Sequence, residues 1–257
     1  MPALSEIARY LDDLLRIPEI PDYPNALNGV QVDTGDDIVR VAAAVDARER
    51  TIGAAVAASA NLLLVHHGLF WGGLEPLRGP ALRRVQALIT GRLAVYGAHL
   101  PLDAHPQFGN NVLLAKKLDL TPTFGFARHK TIDIGIGGES DVPTMEIVAR
   151  AAAFAARYGG SVRHTTLDGG RVTTRWAICT GAGASHDTIA EAALRHIDTL
   201  IVGEGAHWTA IDAEELGIAI IYAGHYATET LGVQALAAHV SSTFGIPWTF
   251  LHAPTGL

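Results

Sequence analysis

The sequence predicts an α/β protein built as two α/β halves with largely parallel sheets. Three features carry that expectation. Short apolar runs of strand length alternate with stretches of helical periodicity. Runs such as NLLLV and IAIIYAG are apolar throughout, as strands are when helices cover both faces of a sheet. The alternation loosens over residues 121–175 and then resumes, which suggests a first half, 1–125, and a second half, 126–257. No flexible Gly/Ser linker or tandem repeat lies between them, so the halves are expected to pack tightly.

Taken in order, Leu4, Ile7, Ala8, Leu11, Leu14 and Leu15 have helix spacing, and Pro18 follows as a stop. Residues 20–28 are rich in Pro, Asp and Asn and read as a loop, with NGVQ turn-like. IVRVAAAV is a strand, Arg48 to Ala60 a helix, NLLLV a strand, Ala81 to Thr90 a helix, LAVYGA a strand and Asn111 to Leu118 a helix. In the looser stretch, TIDIGIGG reads as a strand running into a turn. Pro143 opens a helix to about Tyr158, which Gly159 and Gly160 end. RWAICTG is a strand, and Ser185 caps a helix to about His196. TLIVG is a strand before a helix to about Leu216. IAIIYAG precedes a helix from about Thr228 to Val240, and IPWTFLH reads as an edge strand.

Composition narrows the function. A chain of 257 residues, 49% hydrophobic and 18% charged, suffices for one large core or two small ones. Mean hydropathy is +0.22, and no apolar run approaches the ~18 residues of a membrane span. The N-terminal segment lacks the basic start and apolar block of a secretion signal. A single cysteine, Cys179, excludes a disulfide framework and a zinc site built on thiolates, and it fits a cytoplasmic protein. Lying in WAICTG, it reads as a small core residue. A net charge of −7 without a Lys/Arg cluster argues against nucleic acid as the main partner. Twelve histidines against one cysteine direct attention to imidazole–carboxylate metal chemistry.

Ligands of open α/β sheets collect beyond the carboxyl ends of the strands. Three expected strands end in reactive residues. NLLLVHHG emits His66 and His67. Neighbouring strand residues face opposite ways, so both can serve one site only if the strand has ended, and Gly68 permits a turn there. LAVYGAHLPLDAH emits His99 and Asp103. Pro101 argues against a continuous helix across them, so a looped turn is expected to join the pair. IAIIYAGHYATE emits His225 and Glu229, either as an i, i+4 pair on a helix or with Thr228 as N-cap. Singly, each cluster has a bland counterpart: one core histidine beside a solvated one, a polar loop, a glutamate drawn to a helix start. Jointly they supply four imidazoles and two carboxylates, enough for two divalent ions. Without sulfur the set favours zinc, iron(II), manganese or nickel over copper(I). Phe70 and Trp71 beside the His pair, and Pro106 beside the His99 loop, are candidate walls.

With these motifs in place, the chain resembles the NIF-three-like family of dinuclear metal-centre proteins, some of which are called GTP cyclohydrolase I type 2 homologues. The likeness rests on NGVQV near residue 28, VHHGLFW, YGAHLPLDAHPQFGNN, GEGAHW and YAGHYATE, in that order over residues 28–229. It implies that His66, His67, His99, Asp103, His225 and Glu229 are the metal ligands, with a carboxylate able to bridge two ions. It also implies two interlocked halves with the site in the cleft between them, and a ring-shaped homohexamer.

Several further residues follow strand ends. Glu204, in TLIVGEGAHW, is a candidate general base, or a carboxylate that orients a ligand histidine. His207 is a candidate for substrate phosphate binding or proton transfer. His105, Asn28 and Gln31 are candidates to line the site, whereas His129, His164, His186, His196, His239 and His252 read as surface or packing residues. The expected function is a dinuclear-metal-dependent hydrolase of a small nucleotide-like substrate, of GTP cyclohydrolase type. No G-x-x-x-x-G-K-[ST] phosphate loop is present, so phosphate recognition would fall to scattered groups or a neighbouring subunit. The alternative is a non-catalytic metal-binding adaptor or metal-delivery protein.

Overall fold

Helix α1 (Leu4–Leu15) forms where the periodicity places it, with Leu4, Ile7, Ala8, Leu11 and Leu15 buried along one face. Arg16 ends it in the left-handed region, φ 53°. The computed structural model describes residues 1–257, which form a mixed α/β fold with two sheets. They fall into two compact units, residues 1–105 with 232–253 and residues 106–231 with 254–257.

The first unit holds strands β1 (Gly29–Val32), β2 (Val41–Asp46), β3 (Leu62–His67), β4 (Ala94–Gly97) and β11 (Trp248–Phe250), in the order β1-β4-β3-β2-β11. The last four are mutually parallel. Helices α2 (Glu49–Ala57) and α3 (Gly79–Thr90) supply the crossovers that parallel strands require. Ile52, Ala55 and Leu88 of these helices pack on Ala42, Ala44, Leu63, Val65 and Val95. Each large apolar side chain buried here contributes roughly 1.5–3 kcal/mol. The IPWTFLH segment does form an edge strand, β11. NGVQ, expected to be turn-like, is instead the edge strand β1, antiparallel to β4. The loop expected around Pro101 is a one-turn helix, α4 (Leu100–Asp103), capped by His99. Proline is accepted there because the amide it lacks would have no partner in a first turn.

In the second unit β5 (Phe124–His129), β6 (Ile132–Pro143), β7 (Arg163–His164), β8 (Val172–Cys179), β9 (Thr199–Val202) and β10 (Ala219–Tyr222) run in the order β5-β6-β8-β9-β10-β7. Only β8, β9 and β10 are mutually parallel. The expectation of a largely parallel sheet is therefore corrected for this unit, because β5, β6 and β7 all pair antiparallel. A two-residue turn joins β5 to β6, a connection available only to antiparallel strands. The glycines of TIDIGIGG do not mark a turn. A Cβ on Gly137 would lie 2.2 Å from the Phe124 ring, and one on Gly138 would lie 2.7 Å from Trp176. These are strand positions over which aromatic rings pass.

Helices α5 (Asn110–Lys117), α6 (Thr144–Ala156), α7 (His186–Leu194) and α8 (His207–Glu215) belong to the same unit. Ile147, Ala151 and Phe154 of α6 pack with Trp176, Ile178, Ile201 and Ile221. Ile189 and Ala192 of α7 and Ala213 of α8 pack with Ala177, Leu200, Val202 and Ile220, and the free thiol of Cys179 is buried there as a core residue. The final helix, α9 (His225–Phe244), starts in the second unit, and its residues from Gly232 onward count with the first. No helix is long and apolar enough to cross a membrane.

Candidate metal centre

In the first unit the ends of β3 and β4 carry three histidines. His66, His67 and His99 each offer one ring nitrogen, and these nitrogens lie within 4.8 Å of one another. The rings of His66 and His67 are 4.8 Å apart, as are those of His66 and His99. Strand β3 runs through both His66 and His67 rather than ending before them. The histidines converge because each ring is tied to a neighbouring strand or loop. His66 is 1% exposed, and its Nδ1 donates to the Ala98 carbonyl at 2.9 Å. His67 Nδ1 donates to Asp46 Oδ1 at 3.0 Å, and Asp46 sits opposite His67 in the register of β2 with β3. His99 Nδ1 donates to Asp22 Oδ1 at 2.9 Å. All three acceptors are oxygens without a proton to give, so Nδ1 carries the hydrogen and Nε2 the lone pair. Asp103 closes the group, with Oδ2 3.5 Å from His66 Nε2.

Asp22 organises more than one ring. It also accepts from the Leu100 amide at 2.9 Å and from Asn28 Nδ2 at 2.8 Å. Asn28 Oδ1 in turn accepts from the His99 amide at 2.7 Å. Burial opposes ionisation of Asp22, but the bonds from His99, Asn28 and the Tyr23 amide outweigh it and hold the carboxyl below its usual range. Gln31 braces the loop behind: Nε2 donates to the Ala26 and Leu27 carbonyls, and Oε1 accepts from the Leu69 amide. Its side chain occupies the space beside Gly68, where a Cβ would fall 2.0 Å from Nε2. Gly68 is thus needed for this close approach rather than for a left-handed turn, since its φ is not positive. Trp71 forms the expected wall, its ring 4.7 Å from His99 and 5.6 Å from His67, while Phe70 is exposed.

In the second unit α9 begins at His225, so His225 and Glu229 form the i, i+4 pair of the two arrangements open from sequence. Thr228 is inside the helix and bonds back to the His225 carbonyl. Glu229 is 3% exposed, with Oε2 3.0 Å from His225 Nε2. Its other oxygen rests over Gly181, where φ is +64° and a Cβ would intrude to 2.0 Å. On the far side of the imidazole, His225 Nδ1 donates to Glu204 Oε1 at 2.7 Å. Burial disfavours a charge on His225, but the Glu229 and Glu204 carboxylates at its two nitrogens raise its pKa to about 9. The two carboxylates thus favour positive charge at this ring, and a divalent ion at Nε2 would take the place of the proton there.

In each unit the donors could hold a metal ion: imidazole nitrogens with oriented rings, and carboxylates that carry compensating charge. Asp22 and Asp46 were missed from sequence. Asp46 had a signal, an acidic residue closing an apolar strand, whereas Asp22 lies in a Pro-rich loop with none. His207 is the first residue of α8, exposed and near Glu204. His105 lies beyond α4, its pKa lowered by burial and by nearby His239. His239 Nε2 and the Tyr10 hydroxyl share a hydrogen bond at 2.6 Å, and His186 stacks on Trp208, which are packing roles as expected.

The family model for Duf34/NIF3 (NGG1p interacting factor 3) matches residues 2–255. A GTP cyclohydrolase 1 type 2 homolog of Deinococcus radiodurans is 42% identical over 252 residues, covering 98% of this chain and 94% of the relative. Among solved structures, the protein ybgI, of unknown function, superposes with a TM-score of 0.89 at 32% identity, covering 99% of this chain and 100% of that one. A protein of Thermus thermophilus does so with a TM-score of 0.82 at 36% identity, with 99% and 100% covered.

Proposed function

The chain belongs to the Duf34/NIF3 family, and from that premise we propose that it is a dinuclear-metal-dependent hydrolase of a small nucleotide-like substrate. The observation that supports this reading is the fixed tautomer of four histidines. His66, His67, His99 and His225 each have Nδ1 committed to an oxygen acceptor, which presents Nε2 as the donor. His164 Nδ1 also bonds a carbonyl, at 2.7 Å, but alone; here the donor nitrogens of His66, His67 and His99 converge on one another, and those of His66 and His225 face the carboxylates of Asp103 and Glu229.

In this reading His66, His67, His99, Asp103, His225 and Glu229 hold two divalent ions, of zinc, iron, manganese or nickel. When bound, such a pair supplies an acidified water and a polarised substrate bond. The chain's own residues do the rest. Asp22 and Asp46 keep two rings in register, and Glu204 holds the Nδ1 proton of His225. Trp71 screens His99 and His67 on one side. GTP cyclohydrolase chemistry, suggested by the name of the Deinococcus radiodurans relative, is one reaction such a centre could perform.

The test begins with metal content, by plasma mass spectrometry on protein purified without chelator. Close to two ions per chain is expected. Asp22→Ala and Asp46→Ala, which remove no ligand, should weaken metal binding by ~10–100-fold. Fewer than half an ion per chain after reconstitution would sink the proposal. A panel of GTP, related nucleotides, phosphoesters and cyclic amides, run with zinc, manganese and iron(II), then tests turnover. Full occupancy with no turnover on any of them would favour metal delivery instead.

A further inference from the structure

The second unit contains a cavity of about 530 Å³ beyond the ends of β9 and β10, within the size range of small-molecule sites. Its polar wall is made by Ser161, Arg163, Glu204, His207 and Tyr222, and Leu257, whose carboxyl oxygen accepts from the Tyr226 amide at 3.1 Å, also lines it. Glu204 is the carboxylate that holds His225, so the cavity adjoins the metal-ligating residues of this unit.

The composition of that wall is selective. Arg163 lies on β7, opposite Tyr222 in the β7–β10 register. Nine other arginines of the chain pair with carboxylates or carbonyls at hydrogen-bond distance, Arg83 with Glu49 and Arg195 with Glu191 among them. Arg163 forms no ion pair or side-chain hydrogen bond within the chain, and it lines the cavity instead. His207 likewise lines the cavity from the first turn of α8, with Ala206 and Ala210 beside it. The positive end of the α8 dipole adds to their field. Glu204, the acidic side chain of the wall, is engaged with His225. The Tyr222 hydroxyl is satisfied by Thr209 Oγ1 at 2.8 Å, which leaves its ring as an apolar surface. A guanidinium fork and an imidazole beside a helix start, next to an aromatic face, suit a phosphoryl group attached to a compact organic body.

We propose that this cavity holds the phosphoryl group of a phosphorylated substrate, with Arg163 and His207 as its ligands. The proposal rests on reading the adjoining residues as a hydrolytic metal centre, and it narrows the substrate of that centre to a phosphate ester. It also answers how a chain without a phosphate loop would recognise phosphate.

Calorimetric titration of the full-length protein tests this, with inorganic phosphate, ribose 5-phosphate, ribose and acetate as probes. Each is titrated into metal-loaded and into chelator-treated protein. Phosphate and ribose 5-phosphate should bind both forms, while ribose and acetate bind neither. Arg163→Ala should weaken ribose 5-phosphate binding by ~10–100-fold, the usual effect of losing a charge-assisted hydrogen bond. His207→Ala should weaken it less, and Arg163→Lys should restore part of the loss. Arg157→Ala, at an exposed arginine outside the cavity lining, should change nothing, and metal content should be unchanged in every variant. Wild-type affinity in both Arg163→Ala and His207→Ala would overturn the assignment. So would phosphate binding that disappears with the chelator, which would place the anion on the metals. Acetate binding as tightly as ribose 5-phosphate would overturn the phosphoryl class. A protein that never takes up metal but still binds phosphate through Arg163 would refute the metal reading and leave this site standing.

Discussion

Replacing Gly68 by alanine isolates the bracing behind the histidine pair. The new Cβ would lie 2.0 Å from Gln31 Nε2, 2.3 Å from Oε1 and 2.5 Å from Cδ. Gln31 is a flexible side chain, so it will leave rather than deform the backbone. The cost is then its hydrogen bonds, to Ala26 O at 3.1 Å, to Leu27 O at 2.9 Å and from Leu69 N at 2.8 Å. At ~0.5–1.5 kcal/mol each, Gly68→Ala should destabilise by about 1.5–4.5 kcal/mol. Gln31→Ala loses the same three bonds and should cost a similar amount. The double variant should cost little more than either single one, because the added methyl then enters vacated space. With φ at Gly68 not positive, alanine there should even recover ~0.4–1 kcal/mol through the unfolded chain. Urea unfolding in the presence of chelator gives the four corners of this cycle without a contribution from metal binding. Additive costs would refute the reasoning, since Gly68 would then be intolerant of a side chain for some reason other than Gln31.

Three further outcomes are expected. His66→Ala and Glu229→Gln should each reduce metal content far more than His164→Ala, read by elemental analysis; equal losses would argue against the assigned ligands. Gly181→Ala should lower metal occupancy without replacing a proposed ligand, because its Cβ would displace Glu229 Oε1 and its φ of +64° strains any side chain. Reconstitution to the wild-type level would count against that seat. Finally, a hexamer of the 27.2 kDa chain has a mass of about 6 × 27.2 = 163 kDa, and light scattering coupled to size exclusion would rule it out by returning the monomer mass at micromolar concentration.

What the sequence reveals follows from how local each feature is. LLLV in β3 and AIIY in β10 are apolar throughout because both faces of those strands are covered, so they are readable as strands without knowledge of their neighbours. The reactive residues that follow them are legible for the same reason. Gly137 and Gly138 mislead because their role belongs to rings more than ten residues away, Phe124 and Trp176. Pro101 misleads because a proline in a first turn and one in a helix interior differ only in where the helix begins. Asp22 is invisible, since its partners His99 and Leu100 lie far along the chain and its own surroundings read as loop.

The place of β11 bears on how the protein is made. It pairs with β2, with the Val41 amide bonded to the Pro247 carbonyl and the Leu251 amide to that of Ala43. Until residues 247–251 leave the ribosome, the outer edge of β2 has no strand beside it, although β2, β3 and β4 were all synthesised long before. At ~5–20 residues per second the wait after residue 105 is roughly 7–30 s. Through that interval a nascent chain carries an open, apolar, parallel sheet edge, the kind of template on which chains join one another. The Ala-rich VAAAVD strand that bears this edge should therefore be a principal site of chaperone contact and of aggregation in stalled or C-terminally truncated chains. Loss of the last strand to be synthesised would damage the earliest-made sheet before any other part of the molecule.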